Sequence, residues 1–281
     1  MAPRAFRLAY DGSDYYGFQR QPDVATVEDA LFDALRALGV LEPDADKPDA
    51  YAAAGRTDAG VSALAQTVAL EAPDWLTPRA LNAELPADVR AWAAADAPAG
   101  FHATHDATRR EYTYHLYAPL EAGRSEPASD RPVDDDRFAA ACEALSGTHD
   151  FHNLTPDDHN TERSPTVAAT RDGDYLVVTV SAGGFARELV RRLVSLARAV
   201  GTGDAPLEKI DRALAPTPLP GHEGIAPAPP EPLVLTDVSY PDLAFAVDAQ
   251  AAASTREIFE TRRVQRRTGA RVAGQVADGV R

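Results

Sequence analysis

One cysteine, one methionine, two tryptophans and only two lysines (Lys47 and Lys209) occur in a chain of 281 residues. The lone thiol, Cys142, excludes an internal disulfide framework and any multi-cysteine zinc site. It falls in a predicted helix with Phe138, Ala141 and Leu145, which suits a small core residue. No apolar run approaches the roughly 18 residues that a membrane-spanning helix needs. The opening stretch from Met1 to Phe6 lacks the apolar core of a signal peptide, so a cytoplasmic protein with no membrane partner is expected. Neither a phosphate-binding P-loop nor a Gly-x-Ser-x-Gly elbow is present, and Gly201-Thr202-Gly203 ends a helix where a dinucleotide fingerprint would open one. His102 with His105, and His149 with Asp150 and His152, lack a third ligand of known geometry, so no metal is expected.

What the chain does have is negative charge. A formal net charge of -15 argues at first sight against a polyanionic partner. Arginine, however, supplies nearly all the positive charge, while Asp and Ala are abundant. That bias suits a protein of very salty cytoplasm, where a Debye length of about 3 Å at 1 M salt stops acidic surfaces from repelling one another. The same screening leaves room for RNA binding through close arginine contacts. The competing reading is an acidic protein with no nucleic-acid partner.

Hydrophobic periodicity predicts an α+β protein. Phe6, Leu8 and Tyr10 alternate as a first strand ended by Asp11-Gly12. Thr26 caps a helix with Val27, Leu31, Leu35 and Leu38 on one face, stopping at Gly39. Strands are expected over 49–54, 65–71 and 89–96, with a helix opened by Thr77-Pro78 before the last of them. That order is β-α-β-β-α-β, the ferredoxin-like pattern. A second copy follows: a strand over 111–117, a helix over 135–146, a hairpin turning at Asp172-Gly173-Asp174, a helix over 186–200, a short helix over 207–214, and a last strand over 233–240. The expectation is two ferredoxin-like halves, 1–104 and 105–245, joined around a central, mainly antiparallel sheet with a cleft between them. Residues 246–281 form an arginine-rich helical tail, which Ser254 and Glu257 would start as a capping box. Its arginines suit either phosphate contacts or salt bridges on a solvated face.

The segment richest in chemistry is Ala54-Gly55-Arg56-Thr57-Asp58-Ala59-Gly60-Val61-Ser62. Two glycines bracket an arginine and an aspartate in a connection between strands, where catalytic groups are commonly displayed. Arg56 suits a phosphate or a base, and Asp58 a base, ligand or nucleophile; a plain structural loop has the same composition. The helix bearing Leu189, Val190, Leu193, Leu196 and Val200 on one face carries Arg187, Arg191 and Arg198 on the other. Strand alternation puts Tyr112 and Tyr114 on one face, so that one can belong to the core and the other to a site.

The 54–62 segment resembles the catalytic loop of pseudouridine synthases, and of the tRNA pseudouridine synthase A (TruA-type) family in particular. The resemblance extends to Tyr10-Asp11-Gly12-Ser13 with Tyr15, Gly17, Phe18, Gln19 and Gln21, and to Thr26-Val27-Glu28. It continues through Phe101-His102-Ala103, Arg110-Glu111-Tyr112-Thr113-Tyr114, Gly147-Thr148-His149-Asp150-Phe151 and Arg163-Ser164-Pro165-Thr166. Gly184-Phe185 through Val190-Arg191 and Ala228-Pro229-Pro230-Glu231 with Leu233 complete it, in order over roughly residues 5–242. What the resemblance implies is an isomerase that turns uridine into pseudouridine in the anticodon stem-loop of tRNA, positions 38–40, with no cofactor. It implies Asp58 as nucleophile, Arg191 as the catalytic arginine that pairs with it, and Tyr112 stacked on the target uracil. Arg56 then aids extrusion of the nucleotide, Leu233 walls the uracil pocket, and the enzyme is a homodimer holding tRNA. Thr104 and Pro232 depart from the family pattern, where arginine and glycine are usual, and Glu111 interrupts the basic character beside the tyrosines. Two rival readings are a tRNA-binding module without chemistry and a carboxylate-dependent nucleoside hydrolase.

Overall fold

The computed structural model describes residues 2–120 and 132–280. The chain forms two compact units: Met1–Asp106 with Tyr240–Arg281, and Ala107–Ser239.

The first unit opens with β1 (Ala2–Tyr10), α1 (Val27–Ala37), β2 (Ala52–Ala53), β3 (Ser62–Ala72), α2 (Pro78–Glu84) and β4 (Val89–Asp96). β1 lies between β4 and β3, antiparallel to both, and β2 adds to the far side of β3. The spatial order 4-1-3-2 is that of a ferredoxin-like sheet. Thr26 and Thr77 cap their helices by accepting from the backbone N–H groups of Asp29 and Ala80, as their places before Val27 and Pro78 predict. β1 is buried on both faces. Phe6 and Leu8 alternate with Ala5 and Ala9, and all four are buried. Ala5 packs with Ala52, Ala69 and Ala103, over which Phe101, Leu243 and Phe245 close.

The second unit comprises β5 (Arg109–Tyr117), α3 (Asp135–Ala144), β6 (His149–Asp150), β7 (Glu162–Arg163), β8 (Thr166–Asp172), β9 (Tyr175–Ala182), α4 (Leu189–Gly201), α5 (Glu208–Leu214) and β10 (Leu233–Ser239). Its sheet runs β10-β5-β9-β8, antiparallel throughout, while β6 and β7 pair separately. Leaving that small pair aside, first, second, third and fourth strands again take the 4-1-3-2 order, so the internal repeat read in the sequence is real. Gly173, with φ +57°, turns the β8–β9 hairpin. Cys142 is buried, and burial pushes its thiol up to about 12.

The chain then returns to the first unit with β11 (Ala246–Val247), which pairs with β4, and α6 (Ala249–Gly279). Among the described residues no helix is long and apolar enough to cross a membrane.

Three boundaries differ from expectation, each for a local reason. The second strand shrinks from 49–54 to Ala52–Ala53 because Ala50 takes φ +51° and the Tyr51 N–H closes a turn on the Pro48 carbonyl. The helix expected from residue 186 starts at Leu189, because Glu188 sits in the left-handed region at φ +61°. The expected Ser254 cap lies inside α6. Asp248 caps it instead, its carboxylate accepting from the N–H groups of Gln250 and Ala251.

Candidate active site

In the first unit, the connection from β2 to β3 holds Arg56 and Asp58. Thr57 between them is buried, Arg56 is exposed and Asp58 is half-buried. The Thr57 hydroxyl shares a hydrogen bond of 2.8 Å with the Tyr10 hydroxyl, and its carbonyl accepts from the Phe18 N–H at 3.0 Å. One residue is thus pinned inward by side chain and backbone, between an exposed arginine and a half-buried aspartate.

The rest of the loop is held as closely. The Gly60 N–H donates to the Tyr15 carbonyl at 3.1 Å, and the Val61 N–H closes a turn on the Asp58 carbonyl at 3.1 Å. Before the turn, Gln66 Nε2 donates to the Gly55 carbonyl at 2.8 Å. Two glycines of the opposing segment make this approach possible. A Cβ on Gly12 would lie 2.1 Å from the Val61 carbonyl oxygen, and Gly17 (φ +100°) would place one 3.0 Å from that of Thr57. Tyr10 reaches Thr57 at the end of β1, where a register shift between Leu8 and Tyr10 breaks the pairing with β3.

Behind Gly12 lies a charged cluster that the sequence reading missed. Asp11 is 4% exposed; one carboxylate oxygen accepts from the Ser13 N–H and hydroxyl. The other accepts from Arg262 at 2.8 Å and Arg266 at 2.5 Å, both on α6. Arg262 also reaches Asp88 at 3.5 Å, and the Tyr15 hydroxyl donates to Asp88 at 2.9 Å. Burial works to raise the Asp11 carboxyl, but the Ser13 hydroxyl, the Arg266 guanidinium and the Ser13 N–H outweigh it and hold it at about 2. Burial and then the Asp88 carboxylate push the Tyr15 hydroxyl well up. A signal existed: an aspartate in an aspartate-glycine turn and an arginine-rich tail. Nothing in either stretch says that 251 residues of separation close into one ion pair.

The second unit carries Tyr112, Arg191 and Leu233. Tyr112 on β5 is flanked by Val180 of β9 and Leu235 of β10, while Tyr114 lies opposite Leu233. Directly opposed residues share a sheet face, so Tyr112, Tyr114, Leu233 and Leu235 line one side. Tyr114 and Leu233 are buried and Tyr112 only half so, which separates the two tyrosines of that face. The Phe185 ring meets Tyr112 edge-on at 5.3 Å and 83°. Burial raises the Tyr114 hydroxyl to about 12, and the Glu231 carboxylate adds to it, while Arg191 and Arg198 of α4 pull the other way. Arg191 Nε donates to the Ala228 carbonyl at 2.7 Å, and its own carbonyl accepts from the Ala228 N–H at 3.1 Å. The 228–233 motif and the arginine helix, 37 residues apart, therefore lock each other. Arg187 lies outside α4 altogether, its N–H bound to Asp157, so only Arg191 and Arg198 keep the expected helical stripe.

Among the described residues no three His, Cys, Asp or Glu side chains gather as a metal site would require. The Asp150 carboxylate instead takes the Thr161 hydroxyl and the His152 N–H.

The family profile described as tRNA pseudouridine synthase matches residues 141–241. The chain is 61% identical to the tRNA pseudouridine synthase A of Haloarcula marismortui, over 99% of this chain and 100% of that one. It is 60% identical to the protein of that name from Natronomonas pharaonis, over 98% of both chains. The protein of that name from Methanothrix thermoacetophila is 39% identical over 87% of this chain and 85% of its own. These relatives define the class: enzymes that isomerise uridine to pseudouridine. Within that class, the chain belongs to the tRNA pseudouridine synthase A family.

Proposed function

We propose that this cytoplasmic enzyme acts on uridines of the tRNA anticodon stem-loop, in the 38–40 region, with the Asp58 carboxylate as nucleophile. Pseudouridine formation breaks the N1–C1′ bond and forms a C5–C1′ bond; C5 loses a proton and N1 gains one. A carboxylate adduct splits that change into easier steps. A glycoside hydrolase pairs two carboxylates, the second serving the leaving group or water. An isomerase keeps its own leaving group, so a single carboxylate suffices. The observation that carries the reading is the loop itself: Thr57 and Gly60 are bonded on either side of the half-buried Asp58, which fixes the backbone that bears the carboxylate.

Tyr112, half-buried with its edge against Phe185, is the ring that meets the target uracil, and Leu233 beside Tyr114 is a wall of the base pocket. Arg191 is the catalytic arginine, its stem held by Ala228. Arg56, exposed next to the nucleophile, takes part in drawing the nucleotide out of its stack, a step costing a few kcal/mol. The working form is a homodimer with tRNA as partner and no cofactor.

The decisive experiment maps pseudouridine in tRNA incubated with wild type and with Asp58→Asn, in low and molar KCl. Wild type is expected to modify positions 38–40 and the variant none, at unchanged tRNA binding. Pseudouridine formed by the variant would remove Asp58 as nucleophile, and free uracil in the wild-type reaction would replace the isomerase with a hydrolase. Sedimentation equilibrium at molar salt checks the dimer.

A further inference from the structure

The 31-residue helix α6 is tied to its unit through residues as far along as Arg266. Ala251 and Thr255 are buried, and Arg262 and Arg266 reach back to Asp11. Every described residue from 263 to 280 is exposed. At 1.5 Å per residue, residues 267–279, beyond the Arg266 ion pair, make about 20 Å of exposed helix. Intrinsic propensity alone scarcely supports so exposed a segment, and Gly269 and Gly274 lower it further.

Its charge is opposite to that of the chain. Between Glu260 and Asp278 stand five arginines (Arg262, Arg263, Arg266, Arg267 and Arg271) and no carboxylate, in a protein of net charge -15. No other acid-free stretch of the sequence carries as many. Arg263, Arg267 and Arg271 follow at four-residue spacing and so form one stripe along the helix. Arg263 is paired with Glu260, but both side chains are about half exposed, and such a pair is easily exchanged for another anion. The guanidiniums of Arg267 and Arg271 make no hydrogen bond or ion pair among the described residues, and Arg267 acts on Glu260 only through its charge.

We propose that this stripe is a docking surface for the phosphate backbone of the RNA substrate, outside the reacting nucleotide. The inference rests on the tRNA reading above and deepens it. Guanidinium forks match phosphate oxygens in pairs, and contacts at that range survive salt that screens longer interactions. The ion pairs of Arg262 and Arg266 with Asp11 make the base of the stripe rigid and tie it to the segment that backs the Asp58 loop. The other occupant worth testing is a second copy of the chain, through Val264, Val272 and Val276, which are all exposed.

The test compares wild type with R263Q/R267Q/R271Q and R263K/R267K/R271K, all at exposed positions that are not among the proposed catalytic groups. tRNA binding is followed against KCl, and pseudouridine formation gives kcat and KM. The glutamine protein is expected to show at least a tenfold higher KM for tRNA, with kcat within twofold. Its plot of log affinity against log salt should be shallower by about two units, at roughly 0.7–0.9 for each phosphate that is no longer neutralised. The lysine protein should keep most of the slope. Unchanged KM and slope overturn the proposal, as does a fall in kcat alone. A lower sedimenting mass with unchanged slope assigns the surface to a second copy and overturns it too. Binding is read without catalysis, so an active Asp58→Asn protein would sink the nucleophile and leave the arginine result standing.

Discussion

Thr57 fixes the loop. Its hydroxyl bond to Tyr10 and its carbonyl bond to Phe18 hold one residue inward, between the exposed Arg56 and the half-buried Asp58. Tyr10→Phe deletes one buried hydrogen bond, worth about 1 kcal/mol. A drop of about 2 °C in Tm, measured by calorimetry, is expected. A severalfold loss in kcat with little change in KM should accompany it, since the carboxylate is less well aimed. Gly17→Ala is more severe. It sets a Cβ at φ +100° only 3.0 Å from the Thr57 oxygen, a strain of about 1–3 kcal/mol placed directly on the loop. Activity should fall at least tenfold while the fold, followed by circular dichroism, persists.

At the scale of elements, α6 is joined to the β1 end by the buried Asp11 carboxylate. The folded-state value of about 2 lies below the ordinary 3.8, so folding favours the ionised form. The stabilisation is complete above pH 3.8 and is lost as pH falls through about 2. Urea unfolding of wild type and Asp11→Asn at several pH values checks this: the wild-type advantage should be full at pH 5 and shrink steadily toward pH 2. Elements were also where the sequence was most and least legible. Thr26 and Thr77 announce their helices because a hydroxyl before an apolar period has one good use, accepting a backbone N–H. The αL residues Ala50 and Glu188 announce nothing, since neither is a residue type that favours positive φ. The misplaced Ser254 cap shows the same limit. Serine satisfies a helix start or a helix interior, and only the chain path past Asp248 decides.

Charge belongs to the whole molecule. A net charge of -15 over 281 residues produces self-repulsion that low salt does not screen. The near relatives come from haloarchaea, Haloarcula marismortui, Natronomonas pharaonis and Halobacterium salinarum, as the arginine-for-lysine bias and abundant aspartate lead one to expect. Between 0.1 M and 1 M salt the Debye length falls from about 10 Å to about 3 Å, so Tm should climb over that range of KCl. A melting series in KCl measures it, and a flat series would remove the halophile reading.

From the sequence alone came the two β-α-β-β-α-β repeats, the family and the candidate residues Arg56, Asp58, Tyr112, Arg191 and Leu233, because periodicity, caps and short motifs are local in the chain. Tertiary structure alone decided that Tyr112 is half-buried and Tyr114 buried. It also decided that Ala228 braces Arg191, and that two tail arginines serve Asp11 while three others lie along an exposed stripe. Burial and ion pairing depend on which distant segments meet, and a guanidinium has the same pattern in the sequence whether it faces a carboxylate or water.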